Sequence, residues 1–213
     1  MVSTASQAEL KPVSALIKMR DGLLLQLIGW ILLSTSIAFI AIGFIAAMSA
    51  RIPQSILPGV SMWRTTLGWV TASLALLFIG AIIALIGLYA KFVPGVGELA
   101  RARPEFSTAS SLIKVGYIGG LVLLAIGAVL LIVIVGIIPI LVGLAFLVVG
   151  HIGVAILCFK LNDIYRNSLY LAAGVILLVS IVFPILGVVS WILLYIALGD
   201  TISRLQSSSA VAT

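Results

Sequence analysis

The sequence predicts an all-α fold, a polytopic membrane bundle of about six transmembrane helices in three hairpins, with five helices as the alternative and the N-terminus cytoplasmic. Three observations predict it. Of 213 residues, 63% are hydrophobic and 8% charged, with a mean hydropathy of +1.37, against roughly half apolar and about a quarter charged in an average soluble domain. Such a chain cannot cover its apolar surface with polar groups, so most of it must be solvated by lipid. Uncharged runs occupy Gly22 to Ala50, Thr65 to Ala90, Val115 to Phe159 and Leu169 to Gly199, and each holds the roughly 20 apolar residues that cross a bilayer as helix. The basic residues are also unevenly distributed. With six spans, ten of the twelve lie on the cytoplasmic side (Lys11, Lys18, Arg20, Lys91, Arg101, Arg103, Lys114, Lys160, Arg166 and Arg204), leaving Arg51 and Arg64 outside, a strong positive-inside bias.

In chain order, residues 1–22 read as a cytoplasmic segment in which Pro12 starts a short amphipathic helix, Val13 to Arg20, with Val13, Leu16 and Ile17 turned to lipid. The apolar stretch from Leu23 to Met48 exceeds the 7 to 15 residues of a signal-peptide core and is expected to stay as an anchor. The approximate spans of a single bundle over 23–204 are 23–48, 65–90, 115–136, 139–159, 166–183 and 185–204. Between the second and third, Lys91 to Lys114 reads as a loop with the turn PGVG at Pro94, followed by the foot of helix three capped by Ser107. The third apolar run has twice the needed length and carries Gly136 and Pro139 at its midpoint, which splits it.

Leu169 to Leu198 could be one Pro184-kinked helix or two helices turning at Phe183, Pro184 and Ile185. A weak repeat favours two, because GAVLLIVIVGIIPIL from Gly127 resembles GVILLVSIVFPIL from Gly174. Residues 205–213 read as a flexible tail. Trp63 and Trp69 should mark the outer interface, with Tyr89, Tyr117, Tyr165 and Tyr170 at the inner one.

The basic balance, +6 with pI near 9.8, points to the anionic lipid surface and away from nucleic acid, since the cations sit between apolar runs. Cys158 is the only cysteine, which rules out an intramolecular disulfide and leaves a small buried hydrophobe. His151, the only histidine, is a functional hypothesis by its depth alone. One reading is a hydrogen-bonded clasp to Ser34, Thr35 or Ser36, forming an intramembrane polar cluster. Another is a cofactor ligand, which for haem requires a second ligand from another chain. A metal site has no support, because Cys158 lies seven residues away, about 10 Å along the helix, and no carboxylate shares its depth.

Gln26, Trp30 and Ser34 form a stripe that could line a pore or bind a helix. Gly80 with Gly87, Gly120 with Gly127, and Gly136, Gly143 and Gly150 recur every seven residues, while Gly116 and Gly120 form a GxxxG. This spacing keeps a groove on one helix face for close packing, within the subunit or between subunits. PGVG lacks the residues of a phosphate loop, and no hydroxyl has a histidine–carboxylate pair to activate it, so a catalytic site is not expected.

The stretch GHIGVAILCFKLNDIY from Gly150, continued by LYLAAGVILLVSIVFPILGVVSWILLYIALGDTI, together with the opening LIKMRDGLLLQLIGWILL, resembles an archaeal family of polytopic membrane proteins catalogued as domain of unknown function 973. The resemblance implies an archaeal plasma membrane and about six helices, and brings no established activity. Three readings follow: a non-enzymatic accessory or scaffolding subunit of a membrane complex or homo-oligomer, without a cofactor; a small channel or transporter with a pathway past Ser34 to Ser36 and His151; and an electron-transfer subunit sharing a haem through His151.

Overall fold

The computed structural model describes the backbone of residues 4–49, 59–133 and 135–211, with side chains over 12–45, 67–132 and 135–208. Among these residues there is no strand, and the chain is a polytopic helical membrane bundle. Helix α1 (Thr4–Ser49) is followed by α2 (Gly59–Leu85), which runs through a π-helical segment, Ile86–Phe92, straight into α3 (Val93–Ala102). A corner at Arg103 and one 3-10 turn, Pro104–Phe106, lead to α4 (Ser107–Lys114), a second π-helical segment, Val115–Gly119, and α5 (Gly120–Leu130). Then come α6 (Ile137–Tyr165), α7 (Ser168–Val179) and α8 (Ile185–Val211).

Several expectations change. The Val13 to Arg20 stretch is part of α1, with Pro12 inside the helix. Leu16, expected to face lipid, is fully buried with Ala15 and Met19. The partner that removes them from lipid is α3, whose Gly95 lies against Met19 and Ala15. The loop expected at Lys91 is helical, and PGVG is no turn: Pro94 lies where the π-helical segment passes into α3, and local π geometry is one way a membrane helix accommodates a proline. Ser107 does not cap α4, since Phe106 holds the cap position without a side-chain bond. The tail from 205 is helical as far as Val211. Arg51 and the side chains of Trp63 and Arg64 lie outside the described residues.

Both proline-marked turns divide helices. Gly136 precedes α6, its N–H donating to Leu130 O, and Ser180 to Pro184 separate α7 from α8. The two hairpins differ in height. Gly174 of α7 lies against Cys158 and Phe159 of α6, so the tip near Val182, eight residues further, rises about 12 Å. From Phe159 up α6 to Gly136 is about 34 Å at the same rise. The α7–α8 tip therefore ends about 22 Å below the α5–α6 tip, level with His151. Among the described residues five helices are long and apolar enough to cross a membrane, and α7, with 12 residues, is shorter.

The core sits at the charged end. Leu16, Met19, Leu23, Phe92, Leu99, Phe106, Ile113, Leu157, Tyr170 and Leu194 are all fully buried or nearly so there. Toward the far end α2 packs on α1 and α5 on α6, and among the described residues these two-helix arms make no extensive contact with each other. Their outward faces are apolar and open: Ile42 is 61% exposed, Phe78 63%, Val129 69% and Leu141 61%. The molecule is closed at one end and divided at the other, with the short hairpin ending between.

Candidate functional site

Start with the polar groups at mid-depth. An O–H or N–H in hydrocarbon must find an acceptor, and the nearest is the carbonyl one turn back in its own helix. Thr35 donates to Ile31 O at 2.8 Å and Ser73 to Trp69 O at 2.8 Å. Ser36, fully buried, donates to Ser73 O of α2 at 2.6 Å. His151 Nδ1 bonds Leu147 O at 2.9 Å, so this nitrogen carries the proton. Its ring meets Tyr117 edge to face at a centroid separation of 5.6 Å.

The expected cluster of His151 with Ser34, Thr35 and Ser36 is thus not formed. Ser36 turns to α2 and His151 to the π segment before α5, because α1 pairs with α2 and α6 with α5. Nor does the Gln26, Trp30, Ser34 stripe share a surface: Gln26 is buried, while Trp30 and Ser34 are exposed. As a cofactor ligand His151 could offer Nε2 alone, and no group of three or more His, Cys, Asp or Glu side chains that could hold a metal occurs among the described residues.

The glycines make the close contacts. Gly22 meets Gly87, and Gly29 meets Gly80. In the second arm Gly116 meets Gly150, Gly120 meets Gly143, and Gly127 meets Gly136. Every one of these pairs joins two helices of one arm, so the spacing of seven serves packing inside the subunit. Gly22 and Gly29 were the missing half of the first ladder, legible in the sequence as another spacing of seven.

The charged end is where polar chemistry gathers. Lys18 of α1 pairs with Glu98 of α3. Arg20 donates to the Tyr195 hydroxyl at 3.3 Å and lies 4.9 Å from the centre of that ring. Asn167 accepts from Leu169 N at 3.1 Å, capping α7, and donates to Asp200 of α8 at 2.9 Å. The Tyr170 hydroxyl donates to Ala197 O and shares a second bond, of 2.9 Å, with Thr201. Tyr117 and Tyr170, expected at the interface, are buried in this core. These contacts tie the first hairpin to the third and close the third on itself at one level.

Between the first two hairpins, at the same end, lies a cavity of about 280 Å³ lined by Tyr89, Val93, Pro94, Gly97, Glu98, Arg101, Lys114 and Ile118. Tyr89 comes from the first π segment and Ile118 from the second. The wide π turns are bound to each other by Tyr89, whose hydroxyl donates to Tyr117 O at 2.9 Å. Such turns are uncommon and cluster at functional sites. The sequence did not reveal this cavity, since the stretch from Lys91 to the foot of helix three at Ser107 reads as a loop. The signal available was the spacing of Val93, Val96 and Leu99, buried along one face, with Arg101 exposed, a helical period through PGVG.

Comparison with curated proteins and with solved structures finds no match. A family model does match, and over residues 12–213 of the 213. The chain belongs to the family described as Protein of unknown function (DUF973).

Proposed function

We propose that the protein is a non-enzymatic subunit of the plasma membrane, with its N-terminus and charged end cytoplasmic, that scaffolds a larger membrane complex or a homo-oligomer. The observation that carries this reading is the divided far end. Two slender arms expose apolar side chains on every face but one, and the short α7–α8 hairpin leaves the space between them unfilled by the chain itself. Lipid alone could solvate these faces, but a bundle whose arms bury little of their surface offers neighbouring helices long apolar ridges to pack on. Thr35, Ser73 and His151, each bonded one turn back in its own helix, and Ser36, bonded to Ser73 O of the neighbouring helix, speak against a polar pathway at mid-depth.

Affinity purification from native membranes in mild detergent, followed by mass spectrometry, tests the proposal. Fixed stoichiometric partners or a defined oligomer are the expected result. A monomer without partners that conducts ions or solutes in liposomes, with flux altered by His151→Ala, would overturn it in favour of a channel. A featureless visible spectrum of the pure protein is expected, and a haem Soret band would move His151 to a ligand role.

A further inference from the structure

We infer that the cavity between the two π-helical segments binds the phosphate of an anionic membrane lipid at the charged-end interface. Two cations line it, Arg101 of α3 and Lys114 of α4, and neither forms an ion pair among the described residues. The single carboxylate in the wall, Glu98, is engaged by Lys18, so the cavity keeps an excess positive charge. A phosphate group answers two such donors with oxygens that accept several charge-assisted hydrogen bonds. Both cations are exposed, and the rest of the wall, Tyr89, Val93, Pro94 and Ile118, is largely apolar.

That division matches a lipid: a charged head toward water and a glyceride portion against carbon. The volume, about 280 Å³, lies at the small end for ligand sites, and suits a headgroup better than a whole soluble cofactor. Gly97 keeps the site open, because a Cβ there would come within 3.1 Å of the Lys114 ammonium. The depth is right as well. Ile118 lies one turn inside the apolar span from Lys114, and interface phosphates lie at the level where basic side chains end helices.

The test uses the full chain in phosphatidylcholine vesicles containing spin-labelled phosphatidylglycerol or spin-labelled phosphatidylcholine, reading the motionally restricted fraction of each. The wild-type protein is expected to prefer phosphatidylglycerol. Arg101→Gln with Lys114→Gln should abolish that preference, since each lost charge-assisted hydrogen bond is worth about tenfold or more. Gly97→Val, which fills the cavity and keeps both charges, should do the same. Lys160→Gln with Arg204→Gln removes equal charge outside the cavity and should leave the preference intact. Undiminished preference in the cavity variants, or equal loss in the control, overturns the inference. Release of the labelled lipid by inorganic phosphate would overturn the lipid as the source and assign the site to a soluble phosphate compound.

Discussion

A Cβ placed on Gly22 would stand 2.6 Å from the carbonyl oxygen of Gly87, and one placed on Gly87 would stand 2.6 Å from the carbonyl oxygen of Gly22. The contact is reciprocal, so neither residue can gain a side chain unless α1 and the π segment part. Seven residues on, Gly29 and Gly80 repeat the arrangement with backbone atoms 2.7 and 3.0 Å from the corresponding positions. Without a hydrophobic drive between helices in lipid, this closeness is the source of dispersion and weak C–H···O attraction that holds the first arm.

Gly87→Ala should therefore destabilise the protein by about 1–3 kcal/mol, the usual cost of overpacking. Gly43 and Gly68, in the same two helices, have nothing within 4 Å of an added Cβ. Gly43→Ala and Gly68→Ala should be neutral or stabilise by up to about 1 kcal/mol through helix propensity. Thermal unfolding in detergent, followed by the monodisperse fraction on size exclusion, separates the two outcomes.

Ser36 and His151 should behave as independent sites. Each has its own carbonyl partner, Ser73 O and Leu147 O, and the helices that carry them belong to different arms. Ser36→Ala and His151→Ala should each cost on the order of 0.6 kcal/mol, typical of a single hydrogen bond inside a membrane protein. A double-mutant cycle should return a coupling within about 0.5 kcal/mol of zero. A coupling above 1 kcal/mol would restore the clasp that the sequence suggested.

At the foot of the short hairpin, Arg166 closes α6 in the left-handed conformation, φ 52°, and Asn167 opens α7 by capping Leu169 N while donating to Asp200. Asn167→Ala removes both bonds and should cost about 1–2 kcal/mol. Arg166→Gly should be tolerated, whereas Arg166→Val, β-branched at positive φ, should lose about 1–2 kcal/mol. Urea or thermal midpoints of the three variants in one detergent give the ranking.

What the sequence made legible follows its periodicities. The membrane class, the positions of the apolar runs and both proline turns could be read because hydropathy and Gly/Pro spacing report directly on helix and bilayer. The pairing of Gly22 with Gly87, the fate of Ser36 and the cavity between π turns could not, because each depends on which helix lies beside which. Within Lys91 to Lys114 the foot of helix three was legible and forms α4, Ser107–Lys114, but the loop expected before it was misread. Its charges and two prolines look like a loop, yet the helix continues through the π segment and Pro94 to Ala102, and Val96 and Leu99 are buried while Arg101 is exposed. Hairpin height was illegible too, since FPIL and IIPIL look alike while the lengths leading to them in space differ.

That difference in height makes the last prediction. Val135, beside the α5–α6 turn, and Val182, at the α7–α8 tip, are both open in the isolated chain, 60% and 73% exposed. Protein burial therefore cannot distinguish them, and only the bilayer can. The α7–α8 turn is chemically fit for hydrocarbon: Ser180, Ile181, Val182, Phe183, Leu186 and Gly187 each donate their N–H to a backbone carbonyl within 2.9–3.3 Å, and Ser180 Oγ donates to Leu177 O. Few polar backbone groups are left needing water. In a Cys158→Ala background, Val135→Cys should react with a membrane-impermeant maleimide from one face of sealed vesicles. Val182→Cys should react from neither face, and should label fully after denaturation. Equal labelling of both from the same face would mean that α7 and α8 reach the far surface after all, and that the membrane thins or the arms tilt to let 12 residues of α7 cross where about 20 are normally needed.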